Sequence, residues 1–270
     1  MDNEVISICF CINDIYAQHL AVVLTSILKN NKDSFFKFYV LSNDITEISK
    51  NKIDLLKKKY QNYNIEYLGV NKDLFTNFDL TIDYITIETY FRYILPDIFP
   101  NLKKILYMDV DLVVNGNIKT LWNTDISEYY CAGVEDINID TTFHKKNLNM
   151  DESDTYINAG VLLFNLDKMR KDFISQKLFE THKQYSNVLK YQDQDVINIV
   201  LRKKIKLLEF VYNFSTKISK KYPKLAKDAK IIHFIGPKKP WKTFSANKLK
   251  LLYYYYRFFS PYSILKNITT

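Results

Sequence analysis

The fold is decided by the segment Lys104-Ile-Leu-Tyr-Met-Asp-Val-Asp-Leu-Val-Val114, in which two carboxylates follow an apolar run. The run at residues 105–108 predicts a buried strand, and side chains two residues apart on a strand point to the same side. Asp109 and Asp111 are therefore expected to converge. Converging carboxylates are costly to bury unless a cation joins them, which favours a divalent metal at the carboxyl end of a strand in an α/β sheet. The alternative is a pair of solvated aspartates where the strand runs into a loop.

Strand-like and helix-like segments alternate before this run. Apolar strands are predicted at residues 5–12, 36–41 and 65–68. Asn13 or Asp14 can cap the helix that follows the first strand, and residues 42–44 introduce a second helix that extends to about residue 60. This alternation predicts an α/β fold with a mostly parallel central sheet and helices on both faces.

The remainder of the chain continues the α/β pattern. Helical spacing at residues 86–95 ends at Pro96. Further strands are predicted at residues 130–134, 161–164 and 231–235, and helices at residues 174–188 and 193–201. The polar residues 138–156 are expected to form a long surface loop that could act as a lid. A catalytic domain at 1–245 followed by a tail at 246–270 is the simplest organisation.

The positive charge of this protein is concentrated at its C-terminus. The net charge is +8, and eight basic residues with no acidic residue follow Asp228. A nucleic-acid-binding surface over the whole protein is therefore disfavoured. No apolar run reaches the roughly 18–20 residues that a membrane-spanning helix needs, and the N-terminus lacks the features of an export signal. These observations predict a cytoplasmic protein.

Four further motifs accompany the aspartate pair in a fixed order. They are Thr89-Tyr-Phe-Arg92, Asn158-Ala-Gly-Val-Leu-Leu-Phe-Asn165, Tyr191-Gln-Asp-Gln-Asp195 and His233-Phe-Ile-Gly-Pro-Lys-Lys-Pro-Trp241. Each motif alone is weak, but together they resemble the family 8 glycosyltransferases, a retaining group of the GT-A fold. That group includes glycogenin and bacterial lipopolysaccharide galactosyl- and glucosyltransferases. The resemblance runs from about Val5 to Trp241.

The resemblance implies a metal site made of Asp109, Asp111 and His233. In the family, these positions bind Mn²⁺, which bridges the two phosphates of a nucleotide sugar, and Mg²⁺ is an alternative ion. Two carboxylates and one imidazole suit manganese as ligands. A histidine at a strand end is by itself more often structural than a metal ligand.

The same resemblance places the diphosphate near Arg92, Gly236 and Lys239. A glycine lets backbone amides approach an anion, and a lysine supplies a point charge. The alternative for the last two residues is a basic turn fixed by Pro237 and Pro240. A lone arginine such as Arg92 is more often part of a structural ion pair.

Asn13, Asp14 and Tyr16 match the positions at which the family binds uridine. Tyr16 can stack on a base, and an amide or carboxylate can accept the uracil N–H. Asn13 and Ile15 depart from the commoner Asp-Asp-Asn-Tyr pattern of the family. Capping of the next helix by Asn13 or Asp14 is the structural alternative.

The donor sugar is expected to contact another group of polar residues. Carboxylates and amides supply the dense hydrogen bonds that hexose recognition needs. The implied residues that bind the donor here are Val110, Asp136, Asn158, Ala159 and Gln194. Asp193 and Gln194 are the implied catalytic residues, although Asp193 could instead cap a helix. Because an amide is a poor nucleophile, front-face attack with electrostatic stabilisation is favoured over a covalent intermediate.

Together these expectations describe a Mn²⁺-dependent retaining glycosyltransferase. It would move a hexose from UDP-galactose or UDP-glucose to a glycan or lipid-linked saccharide acceptor. The basic, aromatic tail favours peripheral contact with the inner face of the cell membrane, and packing of its aromatic side chains onto the core is the alternative. The rival functions are a noncatalytic UDP-sugar- or carbohydrate-binding protein and a nucleotidyltransferase.

Overall fold

Ten strands and ten α-helices form the part of the chain that the structure, a computed structural model, describes: residues 4–78, 80, 82, 85–137, 141–242 and 248–263. The strands are β1 (Ile6–Cys11), β2 (Phe36–Ser42), β3 (Tyr63–Gly69), β4 (Lys104–Met108), β5 (Leu112–Val114), β6 (Cys131–Glu135), β7 (Ile157–Asn165), β8 (Ile205–Leu208), β9 (Phe214–Ser215) and β10 (Ile231–His233). The helices are α1 (Ala17–Asn30), α2 (Glu47–Asp54), α3 (Leu95–Ile98), α4 (Lys119–Trp122), α5 (Thr141–Asn147), α6 (Leu166–Lys171), α7 (Ile174–Tyr185), α8 (Asp193–Leu201), α9 (Thr216–Lys221) and α10 (Lys248–Phe259).

The main sheet has seven strands in the order β3-β2-β1-β4-β7-β6-β8. The first four strands of this order are parallel to one another, whereas β7 runs antiparallel to both of its neighbours. Strands β6 and β8 are again parallel. Hydrophobic cores cover both faces of the sheet. The predicted α/β fold with a mostly parallel sheet is confirmed.

A second sheet of three strands, in the order β5-β10-β9, lies next to the main one. The chain leaves the main sheet at Met108 and enters the small sheet at Leu112. Asp109 and Asp111 therefore lie in the three-residue connection between two sheets and not on a continuous strand. Strand β10 pairs antiparallel with β5, so that His233 lies opposite Leu112. This pairing brings the end of β10 to the connection that contains Asp109 and Asp111.

The N-terminal elements form as the sequence predicts, with shifted boundaries. Asn13 caps a short 3-10 helix at Asp14–Tyr16, and its Oδ1 accepts a hydrogen bond from the Tyr16 N–H at 3.3 Å. The buried helix α1 follows directly. Thr46 caps α2 through the Ser49 N–H, so that helix begins a few residues after the predicted signal at residues 42–44.

The segment at residues 86–95 is a 3-10 helix, Ile87–Ile94, that continues into α3. Pro96 lies in the first turn of α3, where a missing N–H is tolerated, and does not end the helical segment. This position of Pro96 differs from the prediction.

The prediction of a continuous loop at residues 138–156 is wrong for residues 141–147, which form helix α5. Residues 138–140 lie outside the described residues. The helix has two turns, and its anchor is His144, which is buried against α8 and 2.6 Å from Asp195. Because a histidine replaces the usual apolar anchor, the sequence shows no apolar periodicity here.

The tail contains α10, whereas its residues 246–247 and 264–270 lie outside the described residues. Helix α10 packs on α1, and the Tyr253 hydroxyl lies 2.6 Å from the His19 ring nitrogen. The buried Tyr256 hydroxyl accepts a hydrogen bond from Asn30 at 2.8 Å and donates one to Asn115 at 2.9 Å. The burial of these two tyrosines agrees with the alternative in which aromatic side chains of the tail pack onto the core. No helix among the described residues is long and apolar enough to cross a membrane.

Candidate active site

A cavity of about 300 Å³ opens where β1 and β4 end and where β7 passes beneath the connection to the small sheet. Polar ligands commonly bind at the carboxyl ends of strands in such sheets. Almost every residue that the sequence implicates lines this cavity: Asn13, Tyr16, Arg92, Asp109, Val110, Asp111, Asp136, Asn158, Ala159, Asp193, Gln194, His233, Gly236 and Lys239. Asp14 is the exception among them.

Asp14 differs from the expectation because its carboxylate is engaged elsewhere. Its Oδ1 accepts hydrogen bonds from the Thr46 N–H at 2.9 Å and from the Thr46 hydroxyl at 3.0 Å. Asp14 therefore joins the end of β1 to the start of α2, outside the cavity. Tyr16 lines the cavity, and its ring meets the His19 ring edge-on at a centroid distance of 5.5 Å.

Asp109, Asp111 and His233 meet at one end of the cavity, called the metal end below. One ligand atom from each residue lies within 4.8 Å of the others. His233 Nε2 is 3.0 Å from Asp111 Oδ1 and 3.8 Å from Asp109 Oδ2. The spacing and the oxygen-rich donor set suit a divalent cation.

Lys239 also bonds to Asp111 at the metal end. Its Nζ donates hydrogen bonds to Asp111 Oδ2 and, at 3.1 Å, to the Phe234 carbonyl. Burial acts to raise the pKa of the Asp111 carboxyl, but Lys239 and His233 outweigh it and hold that pKa well below its usual range. Asp111 is therefore charged at neutral pH.

The orientation of His233 points one ring nitrogen at the two aspartates. Asn213 donates from Nδ2 to Asn158 Oδ1 at 2.8 Å, so its own Oδ1 must accept from His233 Nδ1, also at 2.8 Å. Nε2 is then the nitrogen that faces the aspartates, 3.0 Å from Asp111 Oδ1, and it would coordinate a bound metal through its lone pair. Asn213, which orients His233, belongs to no motif, and nothing in the sequence points to it.

Gly160 forms the floor of the metal end. A Cβ atom at this position would lie 2.2 Å from His233 Cε1 and 2.8 Å from Asp109 Oδ2, closer than real contacts allow. Only glycine lets the imidazole pack against β7 here. Gly160 lies in the Asn158-Ala-Gly motif, in which roles were predicted only for the two residues before it.

Arg92 connects the metal end to the opposite end of the cavity, which contains Asp193, Gln194 and Asn158 and is called the sugar end after the prediction from the sequence. Its guanidinium donates to Asp109 Oδ1 at 3.2 Å and to the Ala159 carbonyl at 2.6 Å. Arg92 Nε donates to the Thr89 carbonyl at 2.9 Å and forms an ion pair with Asp193 Oδ2 at 3.1 Å. The guanidinium is 4% exposed and engaged by the protein. Its contact with a diphosphate stays a prediction.

Gln194 organises the sugar end with both ends of its amide. Oε1 accepts from Asn158 Nδ2 at 3.1 Å and from the Ala159 N–H at 3.0 Å, whereas Nε2 donates to Asp136 Oδ2 at 3.1 Å. Asp193, beside it in the first turn of α8, accepts from the Thr89 hydroxyl at 2.6 Å. Burial raises the pKa of Asp193 to about 6, against the opposing effects of Arg92 and Thr89.

Asp195, for which no role was predicted from the sequence, is fully buried and supports this end of the cavity. Its Oδ2 accepts from the backbone N–H groups of Lys190 at 2.8 Å and Tyr191 at 2.7 Å. Its Oδ1 accepts a hydrogen bond from the Tyr156 hydroxyl and lies near His144 of α5. These bonds fix the turn that precedes α8.

Comparison with known protein families gives one match over most of the chain. Residues 7–245 match the model of the glycosyl transferase family 8. A putative glycosyltransferase of Haemophilus influenzae is 36% identical over 246 residues, which cover 88% of this chain and 74% of that protein. The lipopolysaccharide 1,2-glucosyltransferase of Escherichia coli is 28% identical over 89% of this chain and 74% of its own length.

A solved structure is similar over nearly the whole fold. It is that of the galactosyltransferase LgtC in complex with donor and acceptor sugar analogs. The two chains superimpose with a TM-score of 0.86 and 28% identity, over 94% of this chain and 96% of LgtC. The similarity in sequence and in fold therefore extends over the same residues that build the cavity.

Proposed function

This chain belongs to glycosyltransferase family 8, and we propose that it transfers galactose or glucose from a UDP-hexose to a glycan acceptor with retention of configuration. Enzymes of this family use a nucleotide-sugar donor and a divalent metal. The observation that carries the proposal is the meeting of Asp109, Asp111 and His233 in one cavity that also contains Lys239.

The metal-end residues fit a divalent cation, and we assign Mn²⁺ to it, with Mg²⁺ as an alternative. Two carboxylate oxygens and one imidazole nitrogen are suitable ligands, and the Asn213 contact directs that nitrogen at the site. The bound cation would neutralise negative charge on the departing diphosphate. Lys239 supplies a second positive charge at the same end, and Gly236 leaves room for a phosphate beside it.

The sugar end supports front-face attack. Gln194 holds its amide through Asn158, Ala159 and Asp136, and an amide oxygen is a poor nucleophile. Its role would be to orient the hexose and stabilise positive charge that develops on it. Asp193 would accept a hydrogen bond from the sugar, since its Oδ2 has an ion pair with Arg92 but no well-aligned hydrogen bond among the described residues. The leaving phosphate would take the proton of the acceptor hydroxyl.

The choice of donor and acceptor rests on similar proteins. The E. coli relative is named as a lipopolysaccharide glucosyltransferase, and LgtC is named as a galactosyltransferase. A glycan of the lipopolysaccharide type, on the cytoplasmic side of the membrane, is therefore the proposed acceptor. A donor panel of UDP-galactose, UDP-glucose and their N-acetyl analogues would identify the sugar.

A peripheral membrane contact is proposed for the outward face of α10. Leu251, Tyr255 and Phe258 on this face are 45–52% exposed. Apolar and aromatic side chains next to lysine suit the headgroup region of an anionic membrane. Sedimentation with phosphatidylglycerol vesicles tests this contact, and a protein that stays in the supernatant at low salt would contradict it.

The main experiment measures UDP release and sugar transfer with and without Mn²⁺. We expect metal-dependent turnover with one UDP-hexose. Tight UDP binding without transfer or hydrolysis would favour the noncatalytic binding protein, and release of pyrophosphate would favour a nucleotidyltransferase. Either result would overturn the proposed function.

A further inference from the structure

Two buried carboxylate oxygens in the cavity lack hydrogen bonds. Among the described residues, nine buried side-chain atoms have no hydrogen-bond partner, and only Glu88 Oε2 and Asp193 Oδ2 of these belong to residues that line the cavity. Both are acceptors. Buried polar groups are normally paired, because an unpaired group loses the hydration that it had in water. A ligand rich in hydrogen-bond donors would pair both oxygens.

Glu88 is the less expected of the two. It lies in the first turn of the 3-10 helix Ile87–Ile94 and is 4% exposed. Within the described part of the chain, no hydrogen bond or ion pair to its carboxylate is present, whereas Asp193 at least has the Arg92 ion pair. The nearby cations are used by other groups: Arg92 pairs with Asp109 and Asp193, and Lys239 bonds to Asp111.

The position of Glu88 associates it with the sugar end. Its neighbour Thr89 donates its hydroxyl to Asp193 at 2.6 Å, and both Glu88 and Thr89 line the cavity. Glu88 is not part of the Asp109, Asp111 and His233 group. A buried carboxyl oxygen in the cavity wall suits a hydroxyl group, which donates a hydrogen bond without bringing a charge of its own.

We propose that Glu88 accepts a hydrogen bond from one hydroxyl of the donor hexose and thereby helps to determine which hexose is bound. This inference rests on the proposed function. An unpaired buried carboxylate destabilises the free protein, and the sugar supplies the missing donor. The free protein is therefore less stable than it would be without this carboxylate, and the affinity for the donor is higher, as at many functional sites.

The first test compares the binding of UDP and of the UDP-hexose to the Mn²⁺-loaded protein by calorimetry. In the Glu88→Gln variant, we expect about tenfold weaker binding of the UDP-hexose and unchanged binding of UDP, because a hydrogen bond to a charged group is lost. Glu180→Gln, the same change at an exposed position on α7, is the control and should alter neither affinity.

The outcomes separate this inference from the proposed function. If the wild-type protein shows no affinity for any UDP-hexose, the proposed function fails. If the wild type binds the UDP-hexose and Glu88→Gln binds it equally well, only the role of Glu88 is wrong. If UDP and UDP-hexose weaken equally in the variant, Glu88 supports the fold and does not contact the sugar.

A panel of deoxy-hexose donors identifies the hydroxyl. When the donor lacks the hydroxyl that contacts Glu88, the Glu88→Gln substitution should no longer weaken donor binding. The effects of the two changes on donor affinity should therefore be non-additive at one position of the sugar ring. Additive effects at every ring position would overturn the inference. Thermal unfolding is a second readout: we expect Glu88→Gln to raise the melting temperature, whereas a structural role for the carboxylate predicts a lower one.

Discussion

At the metal end of the cavity, Asp111 is bonded by both His233 and Lys239. At the sugar end, by contrast, Glu88 Oε2 has no hydrogen-bond partner among the described residues, and Asp193 Oδ2 has only its ion pair with Arg92. The protein itself balances the charge of the first end. It leaves the second end for a ligand to complete. This difference agrees with two kinds of ligand. A bound cation would pair with the carboxylates that protein cations pair with in its absence, whereas a sugar would donate hydrogen bonds from its hydroxyl groups.

This contrast predicts different consequences of mutation. Substitutions at the metal end break a network in which every partner is used, so they should abolish activity without improving stability. Substitution of Glu88 at the sugar end removes a buried carboxylate oxygen that has no hydrogen-bond partner among the described residues, so it should reduce donor recognition while sparing or raising stability. Five experiments, in order of decreasing effect, examine this difference.

The largest effect is expected for Asp111→Asn. The amide is a weaker metal ligand and cannot balance Lys239, so UDP release should fall by about a thousandfold or more. The assay is transfer from the UDP-hexose at saturating Mn²⁺. Asp125→Asn, on the surface, is the control. Activity within about tenfold of the wild type would contradict the role of Asp111 as a metal ligand.

Gly160→Ala should weaken divalent-metal binding by about 10- to 100-fold, since the added methyl group would displace His233 from the aspartates. Titration with Mn²⁺ followed by electron paramagnetic resonance measures the affinity without any need for turnover. Gly69→Ala is a matched control, because nothing lies within 4 Å of a Cβ atom at that position. Equal metal affinity in the two variants would contradict the role given to Gly160.

Asp193 gives the sugar end a pH dependence. Its pKa of about 6 means that the carboxyl gains a proton below this pH and loses its charge as an acceptor. The kcat/KM for the donor should therefore fall as the pH decreases below about 6, by up to about tenfold per unit. A profile from pH 5 to 8 measures this, and Asp193→Asn should be less active and lack this limb.

The same pKa has an opposite effect on stability. Because the folded-state pKa of about 6 exceeds the ordinary value of 3.8, the folded protein binds more protons than the unfolded chain between these values. The contribution of Asp193 to the unfolding free energy should therefore decrease as the pH rises from about 4 to 6. Denaturant unfolding of the wild type and Asp193→Asn would show it, and identical slopes would refute the assignment.

The smallest effect on ligand binding is expected for Asp14→Ala. Asp14 contacts Thr46 and lies outside the cavity, so UDP affinity should change less than about twofold, while the unfolding free energy falls by about 1 kcal/mol through the lost hydrogen bonds. A large loss of UDP affinity with unchanged stability would instead return Asp14 to the uridine site, as the family resemblance implies.

The sequence predicted those parts of the fold whose signal is local. Apolar runs and helical spacing located β1, β2 and β3 to within a few residues, because each element buries a continuous apolar face. The small sheet could not be assembled in this way, although its strand β10 agrees with the strand predicted at residues 231–235. Its strands have only two or three residues each, and β5 pairs with β10, which lies more than a hundred residues away.

The site shows the same division. Motif order implicated the residues at both ends of the cavity. It could not find Asn213, which contacts His233 across the fold, or Glu88, whose burial only the tertiary structure shows. Helix α10 is another such case. Its tyrosines follow one another in the sequence, and only the tertiary structure distinguishes the buried Tyr253 and Tyr256 from the half-exposed Tyr255.

The most direct test of the central claim is the anomalous scattering of Mn²⁺ in a crystal of the protein with an inert UDP-hexose analogue. The account predicts one strong peak about 2.0–2.3 Å from a carboxylate oxygen of Asp109, a carboxylate oxygen of Asp111 and Nε2 of His233. A manganese ion bound elsewhere, or an analogue bound in the cavity with no metal at these three residues, would contradict it.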